Sequence, residues 1–196
     1  FFDNGTITFI KHFVRTDKIL YEEKHGRFSK RFFMTVLYMI LNKMNMLPNV
    51  MGLANTALMK IDHTLYALFE QDLPYELHLD FENKEIKTIK KKKIKNMEHF
   101  SGHSKYIGNK IHTLDYDPLT STVKYILLDE YFNILKKVAI RTMYLPIIHD
   151  FHVFKNGIIF IDSPFTIDMT KHIPVTFKKS PTYIHVYKDF SRTQYM

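Results

Sequence analysis

The 196-residue chain has no cysteine and only six glycines. The absence of cysteine excludes disulfides, thiolate nucleophiles and thiolate-bound zinc. A metal bound by the protein must therefore use imidazole or carboxylate ligands, and eleven histidines make imidazole ligation possible. The sequence also has no Ser-His-Asp or Cys-His signature of covalent catalysis. Because seventeen Phe and twelve Tyr accompany so little glycine, we expect aromatic-rich β structure.

Acidic residues are fewer than basic ones, 20 against 28, so the net charge is +8. Much of the excess comes from residues 84–95, KEIKTIKKKKIK. An excess of positive charge favours an anionic partner, either nucleic acid or a lipid surface. The run contains neither the arginines nor the aromatic residues that line nucleic-acid-binding grooves. A solvent-exposed edge or loop is the simpler interpretation, and we expect no nucleic-acid partner.

A hydrophobic run long enough to span a bilayer is also missing. Residues 28–47, FSKRFFMTVLYMILNKMNML, are nearly all apolar only from residue 32 to residue 41, and a spanning helix needs about 20 apolar residues. A buried core helix is one interpretation of this segment. The other is a segment at a membrane surface, because Lys30, Arg31 and Lys43 flank the apolar part and are placed to meet lipid headgroups.

Four stretches alternate apolar and polar residues with the period of a β-strand. They are residues 6–14, 110–117, 123–129 and 133–142. A side-chain period of two predicts a strand with one buried face. The last two stretches are joined by a short polar turn, which predicts a hairpin.

Strand–turn–strand units recur along the chain, centred on turns at residues 62–63, 108–109 and 156–157. The interval from Asp62 to Asn109 is 47 residues, and the interval from Asn109 to Asn156 is again 47. A repeat of this length built from short strands matches the four-stranded blade of a β-propeller.

The repeat places two histidines at nearly corresponding positions. His103 lies six residues before Asn109, and His149 lies seven residues before Asn156. The latter offset falls on Asn55 in the first unit. The first strand of each propeller blade lines the central axis, so both imidazoles are expected to face one axial site.

Five stretches resemble, in order, signature regions of the carotenoid cleavage oxygenases. They are FFDNG at residues 1–5, GLANTALMKIDHTLYALFEQDLPYEL at 52–77, FSGHSKYIGNKIHTLDYDPLT at 100–120, MYLPIIHDFHVFKNGIIFIDSPF at 143–165 and SPTYIHVYKD at 180–189. The resemblance implies a seven-bladed β-propeller with non-haem Fe(II) on its axis, held by four histidines. It also implies cleavage of a double bond of a carotenoid, apocarotenoid or retinoid with O₂.

The same resemblance assigns roles to particular residues. His103 matches the first iron ligand and His149 the second. Glu70 in ALFEQ matches the carboxylate that orients a ligand imidazole, which it does by accepting the ring N–H and fixing the tautomer. FSKRFFM resembles the membrane-docking patch of the family, which implies that Phe32, Phe33 and Leu37 meet lipid. A cytoplasmic protein attached to a membrane surface would follow.

The chain departs from the family in two ways. Ala-His-Pro is common at the first ligand, whereas this chain has Gly102-His103-Ser104, a change expected to loosen the start of the strand without removing the ligand. The other two ligand histidines belong to later blades, and nothing in the repeat assigns their role to another histidine of this chain. The histidines we set aside are His12, His25, His63, His78, His99, His112, His152, His172 and His185.

We therefore predict an all-β fold, about three blades of a seven-bladed propeller with a short, helical apolar insertion. Seven blades of this length need roughly 330 residues, so we expect residues 1–196 to be one incomplete domain of a longer protein. Its predicted function is that of an Fe(II)-dependent oxygenase, with the fragment alone inactive. The alternative is a catalytically inactive propeller that binds lipid or protein, because a fold does not determine a function.

Overall fold

A computed structural model describes residues 2–3, 5–7, 9–27, 32–117, 122–144, 148–168, 173–176 and 179–188. These residues form fifteen strands and two short helices, which confirms the predicted all-β class. They divide into two compact units, Phe1–Lys93 and Ile94–Met196.

The first unit contains both helices and a four-stranded antiparallel sheet. Its strands and helices are, in order, β1 (Phe2–Asp3), β2 (Thr6–Ile7), α1 (Asp17–His25), α2 (Phe32–Lys43), β3 (Ala57–Ile61), β4 (Thr64–Leu68), β5 (Tyr75–Asp80) and β6 (Glu85–Lys91). β1 pairs with β2, and the sheet runs in the order β3-β4-β5-β6. Each strand of the sheet lies beside its neighbour in sequence, the arrangement of a propeller blade.

The second unit contains a second four-stranded sheet, a three-stranded sheet and a separate hairpin. Its strands are β7 (Lys105–Ile107), β8 (Lys110–Asp117), β9 (Thr122–Asp129), β10 (Ile134–Ile140), β11 (Phe151–Phe154), β12 (Gly157–Asp162), β13 (Phe165–Asp168), β14 (Ile173–Thr176) and β15 (Tyr183–Lys188). β7 to β10 form one antiparallel sheet, β11, β12 and β15 form the next, and β13 pairs with β14. The predicted strand at residues 110–117 and the hairpin after it are therefore confirmed.

One apolar core joins the two larger sheets of the second unit. Its buried members are Leu114, Tyr116, Val123, Tyr125, Ile140, Ile148, Phe151, Ile158 and Phe160. They come from β8, β9, β10, β11 and β12 and from the residues just before β11. Burying an aliphatic or aromatic side chain stabilises the fold by about 1.5–3 kcal/mol, so this cluster holds the two sheets face to face.

The three predicted turns are present, one of them shifted. Ile61 pairs with Thr64 and Ile107 pairs with Lys110, so two-residue turns fall at residues 62–63 and 108–109 as predicted. In the third strand–turn–strand repeat, Phe154 pairs with Gly157. Its turn therefore lies at residues 155–156, one residue earlier than predicted. Gly157 already belongs to β12, where it also pairs with Lys188 of β15. A Cβ there would lie 1.9 Å from the carbonyl oxygen of Tyr187.

The prediction of a long strand over residues 6–14 was wrong. Only Thr6–Ile7 is a strand, and the described residues from 9 to 16 belong to no helix or strand. Side-chain hydrogen bonds replace the strand ladder here. The imidazole of His12 and the backbone N–H of Arg15 both bond the Thr88 hydroxyl, at 2.9 and 3.0 Å. The alternation does not mark a buried face, since Phe9 and Phe13 are both exposed.

Local signals explain where α1 begins and ends. The Thr16 side chain accepts the backbone N–H of Ile19, which satisfies one of the free donors at the start of a helix. Asp17 adds a negative charge to the first turn, where the helix dipole favours it. The helix stops at Gly26, whose φ of 82° lies in the region that glycine reaches without strain.

The apolar segment forms a helix, as predicted, but not a buried one. None of the α2 side chains that the structure describes is buried, and Phe33 is 74% exposed. Residues 28–31 and the side chain of Phe32 lie outside the described part. Among the described helices, none has both the length and the apolar character required to cross a membrane.

The lysine-rich run lies on the outer strand of the first sheet. Lys87 pairs with Glu85 at 2.7 Å, and Lys90 lies 3.7 Å from Glu76. Lys91 points inwards to acidic partners. Part of the positive charge of the run is therefore balanced within the sheet. A lysine-rich outer strand also discourages edge-to-edge pairing with other chains.

Asp72, fully buried, is the centre of an ionic network in the first unit. It contacts the Lys91 ammonium and accepts hydrogen bonds from the Leu73 N–H at 2.8 Å and the Tyr75 hydroxyl at 2.9 Å. Burial raises the pKa of Asp72, although Lys91 and the two hydrogen bonds favour the charged form. Lys91 also bonds Asp17 at 2.8 Å, which connects the start of α1 to the sheet.

We predict that Lys91→Met lowers the free energy of unfolding by about 3–5 kcal/mol, because it leaves the Asp72 charge buried without its cation. The measurement is chemical denaturation followed by circular dichroism. Lys90→Met is the matched control, since Lys90 is 64% exposed against 18% for Lys91. It should cost less than about 1 kcal/mol. Equal losses for the two variants would show that the buried network is not what stabilises this unit.

Candidate metal centre

The two histidines singled out from the sequence have equivalent structural positions. His103 lies two residues before β7, and His149 lies two residues before β11. β7 and β11 are each the first strand of their sheet in chain order. The equivalent position in the first unit is Asn55, two residues before β3. The residue two positions before the first strand is therefore histidine in two sheets of the second unit and asparagine in the sheet of the first unit.

Buried hydroxyl groups hold the turn that carries His103. The backbone N–H of Ser101 donates to the Thr113 hydroxyl at 3.0 Å, and both residues are fully buried. The Ser104 hydroxyl donates to the Ser101 carbonyl at 2.8 Å and lies 2.8 Å from the Thr113 hydroxyl. The His103 N–H lies 3.3 Å from the Ser101 hydroxyl, which accepts from it. Hydrogen bonds thus hold the turn at Ser104, the position where the family that the sequence resembles commonly has proline.

Apolar anchors hold His149. Ile148 directly before it and Phe151 two residues after it are both buried in the core of the second unit. Between them, His149 and Asp150 are exposed. The Asp150 carboxylate accepts the backbone N–H of Phe151 at 2.7 Å, which caps the start of β11. A short exposed segment with buried neighbours at both ends has little freedom to move.

The two imidazoles meet at their Nε2 atoms, which are 3.1 Å apart. The ring centroids are 4.6 Å apart and the rings are inclined by 77°. In the neutral pair one Nε2–H donates to the lone pair of the other ring. The two nitrogens thus converge on one point, although the residues are 46 positions apart in sequence.

This geometry fits a metal ion bound by both rings. Metal–imidazole bonds are about 2.1 Å long, so two such nitrogens at right angles around one ion lie about 3 Å apart. Neutral imidazole is a common ligand of Fe, Zn, Cu and Ni in proteins. The 3.1 Å separation of the two Nε2 atoms is therefore compatible with His103 and His149 holding one ion.

Glu70, in the first unit, lies just after β4. Its carboxylate accepts a hydrogen bond from the Thr56 hydroxyl at 2.9 Å. Thr56 in turn donates its backbone N–H to the carbonyl of Leu68, the last residue of β4, at 3.0 Å. The β3-β4 hairpin thereby fixes the direction of this carboxylate.

Several of the histidines set aside from the sequence have other surroundings. His185 lies 3.1 Å from the buried Asp162 and stacks on Phe160. His112 bonds the Tyr125 hydroxyl at 2.7 Å. His152 is exposed on β11, and His63 is exposed in the first turn. His172 lies outside the described residues.

The two four-stranded sheets are antiparallel meanders, which is the organisation of a β-propeller blade. The sequence profile of the family described as retinal pigment epithelial membrane protein (RPE65) matches residues 1–194. The chain belongs to this family, and the resemblance seen in the sequence is confirmed. No curated protein matches the chain.

Solved structures similar to the chain are β-propeller oxygenases, which confirms the predicted fold. A lignostilbene dioxygenase from Pseudomonas brassicacearum superposes on 89% of this chain and 38% of its own, with 21% identity and a TM-score of 0.63. A mutant of the Synechocystis apocarotenoid oxygenase superposes on 90% of this chain and 41% of its own, with 18% identity and a TM-score of 0.64. The chain thus spans less than half of the length of either structure.

Sequence reasoning missed the polar groups that support the two histidines. The serines on either side of Gly102-His103 were a visible signal, since serine hydroxyls often stabilise turns. Their shared partner Thr113 lies on the next strand, and no local pattern identifies it. The ion pair between Lys105 and Asp150, at 2.7 Å, was missed for the same reason.

We predict that Ser104→Ala loosens the turn while leaving the sheets folded. The change removes the hydroxyl that bonds both Ser101 and Thr113, so the amides of His103 and Ser104 should exchange with solvent faster. Hydrogen–deuterium exchange of a peptide covering residues 101–107 is the measurement, and Ser180→Ala, outside this turn, is the control. Unchanged exchange in the Ser104 variant would mean that the hydroxyl network does not hold the turn.

Proposed function

We propose that the chain is part of an Fe(II)-dependent oxygenase that uses O₂ to cleave a double bond of a carotenoid, apocarotenoid or retinoid. The observation that carries this proposal is the convergence of the His103 and His149 Nε2 atoms at 3.1 Å. Family membership supports it, as do similar structures named as an apocarotenoid oxygenase and a lignostilbene dioxygenase.

His103 and His149 are the proposed metal ligands contributed by this chain. Each would offer the Nε2 lone pair of a neutral ring, so acid should weaken binding by protonating the ligands. Bound Fe(II) supplies the redox chemistry with O₂ that amino-acid side chains lack. The remaining two histidines that the family resemblance implies are not assigned to residues of this chain.

Glu70 is the proposed orienting carboxylate. A carboxylate that accepts the outer N–H of a ligand imidazole fixes its tautomer and raises its basicity. The hydrogen bond from Thr56 keeps one Glu70 oxygen in place, which limits the directions in which the other can accept. Glu70 would thus act through a ligand ring and not on substrate.

The exposed face of α2 is the proposed membrane-docking surface. Phe33, Leu37 and Ile40 are spaced at four and three residues, so they share one face of the helix. Phe33 and Ile40 are exposed, and Leu37 is half-buried. Phe32 is included in the proposed docking surface because it belongs to the FSKRFFM motif. A helix with an apolar face can lie in the headgroup region without crossing the bilayer, and substrate dissolved in lipid would enter nearby.

The iron site is tested by measuring iron in the purified complete protein after gel filtration. We expect near-stoichiometric iron in the wild type, loss of iron in His149→Ala, and iron affinity weakened roughly 10–100-fold in Glu70→Gln. His152→Ala is the matched control, because His152 lies three residues further on and is exposed on β11. It should keep its iron. The chain of residues 1–196 alone should not retain iron, since two imidazoles leave most coordination positions to water.

Two results would contradict this proposal. Full iron in His149→Ala would remove His149 from the site, and tight iron binding by residues 1–196 alone would contradict the four-histidine site. A folded complete protein without iron would favour the alternative of a catalytically inactive propeller that binds lipid or protein.

Membrane docking is tested by liposome sedimentation of the complete protein. Replacing Phe32, Phe33 and Leu37 together with serine should release the protein from liposomes, because the apolar face of α2 supplies the binding energy. Leu20→Ser, at an exposed position on α1, is the control and should leave partition unchanged. Iron content reports whether the variant stays folded. Unchanged partition in a folded triple variant would rule out α2 as the docking surface.

A further inference from the structure

An ion pair joins the two sheets of the second unit directly beside the imidazoles. The Lys105 ammonium donates to Asp150 Oδ1 at 2.7 Å. Lys105 is the first residue of β7, two residues after His103, and Asp150 directly follows His149. We propose that this pair is a clamp whose task is to set the separation of the two ligand imidazoles. The inference rests on the proposed function, in which these imidazoles bind one metal ion.

The clamp is built on both sides. Asp150 Oδ1 accepts the backbone N–H of Phe151 at 2.7 Å as well as the Lys105 ammonium, so the carboxylate is held by the backbone of its own strand. The same ammonium lies 5.8 Å from the centre of the Phe151 ring, within range of a cation–π contact. Phe151 is buried in the core that joins the two sheets. Lys105 thus reaches from one sheet to a fixed point on the other.

The clamp is partly accessible to solvent. The side chain of Asp150 is 52% exposed and that of Lys105 is 30% exposed, and exposed pairs of this kind contribute little to stability.

A pair that adds little stability can still set a distance. Metal affinity depends on how well the free protein already holds its ligands in the bound arrangement, and removing an outer partner of a ligand typically costs 10–100-fold in affinity. Neither His103 nor His149 is buried, so packing around the rings alone does not fix them. The Lys105–Asp150 bond connects the two backbone segments that carry these rings. Lys105 and Asp150 are positioning residues in this proposal, and neither touches the metal.

The test uses Co(II) as a spectroscopic probe in the complete protein from which iron has been removed. Lys105→Met removes the charge and the hydrogen bond but keeps most of the side-chain volume. Lys105→Arg keeps a charged donor, and Lys155→Met, in the exposed turn at the far end of β11, is the matched control. We expect Lys105→Met to weaken Co(II) binding 10–100-fold and to change the visible ligand-field spectrum. Its melting temperature should match that of Lys155→Met, and Lys105→Arg should restore affinity to within about threefold of the wild type.

A Lys105→Met protein with wild-type Co(II) affinity and spectrum would overturn the clamp, and so would an arginine variant as impaired as the methionine one. Hydrogen–deuterium exchange of the metal-free protein separates this failure from that of the proposed function. Residues 149–151 should exchange faster in Lys105→Met than in Lys155→Met whether or not the protein binds a metal. Unchanged exchange there would overturn the clamp. If the wild type instead gives no more Co(II) signal than His149→Ala, the metal site itself is overturned.

Discussion

The apolar packing between the two large sheets of the second unit is the constraint on which the candidate centre depends. Leu114 on β8 and Phe151 and Phe160 on β11 and β12 belong to one buried cluster, so the sheets have a fixed relation to each other. Ile148 and Phe151, on either side of His149, belong to the same cluster. A histidine whose ring is to bind a metal cannot itself be buried in this core. The buried neighbours Ile148 and Phe151 therefore determine the position of His149.

On the other side of the centre, polar groups fix the position of His103. Ser101 and Thr113 are completely buried, and a buried hydroxyl without a partner would cost about 1–3 kcal/mol. Here the hydroxyls of Ser104 and Thr113 bond each other, and the hydroxyls of Ser101, Ser104 and Thr113 all bond backbone groups. The buried groups are therefore satisfied by the same bonds that make the turn rigid. Proline at the position of Ser104 would instead restrict the backbone by fixing φ. The departure from the family motif thus changes how the turn is made rigid, and His103 still meets His149.

Features with a local cause were predictable from the sequence, and features that depend on distant partners were not. Residues 110–117 alternate cleanly and form β8 as predicted, because side-chain period is a property of the strand itself. The repeat of turns likewise aligned His103 with His149. By contrast, no local pattern announces the close approach of β15 to Gly157, or the hydrogen bonds of His12 and Arg15 to Thr88, more than 70 residues away. The supports of the imidazoles are of this second kind.

Two lysine–aspartate pairs in the chain illustrate different uses of the same chemistry. Asp72 is fully buried, so Lys91 is indispensable there, since a lone buried charge would destabilise the first unit. The pair of Lys105 and Asp150 is partly accessible to solvent, with side chains 30% and 52% exposed, so its removal should cost little stability. Its placement between the segments that carry His103 and His149 is therefore not explained by a need for stability. In its proposed role the pair instead holds the two segments at a separation where the Nε2 atoms of His103 and His149 are 3.1 Å apart, because ligands that are already in place favour metal binding.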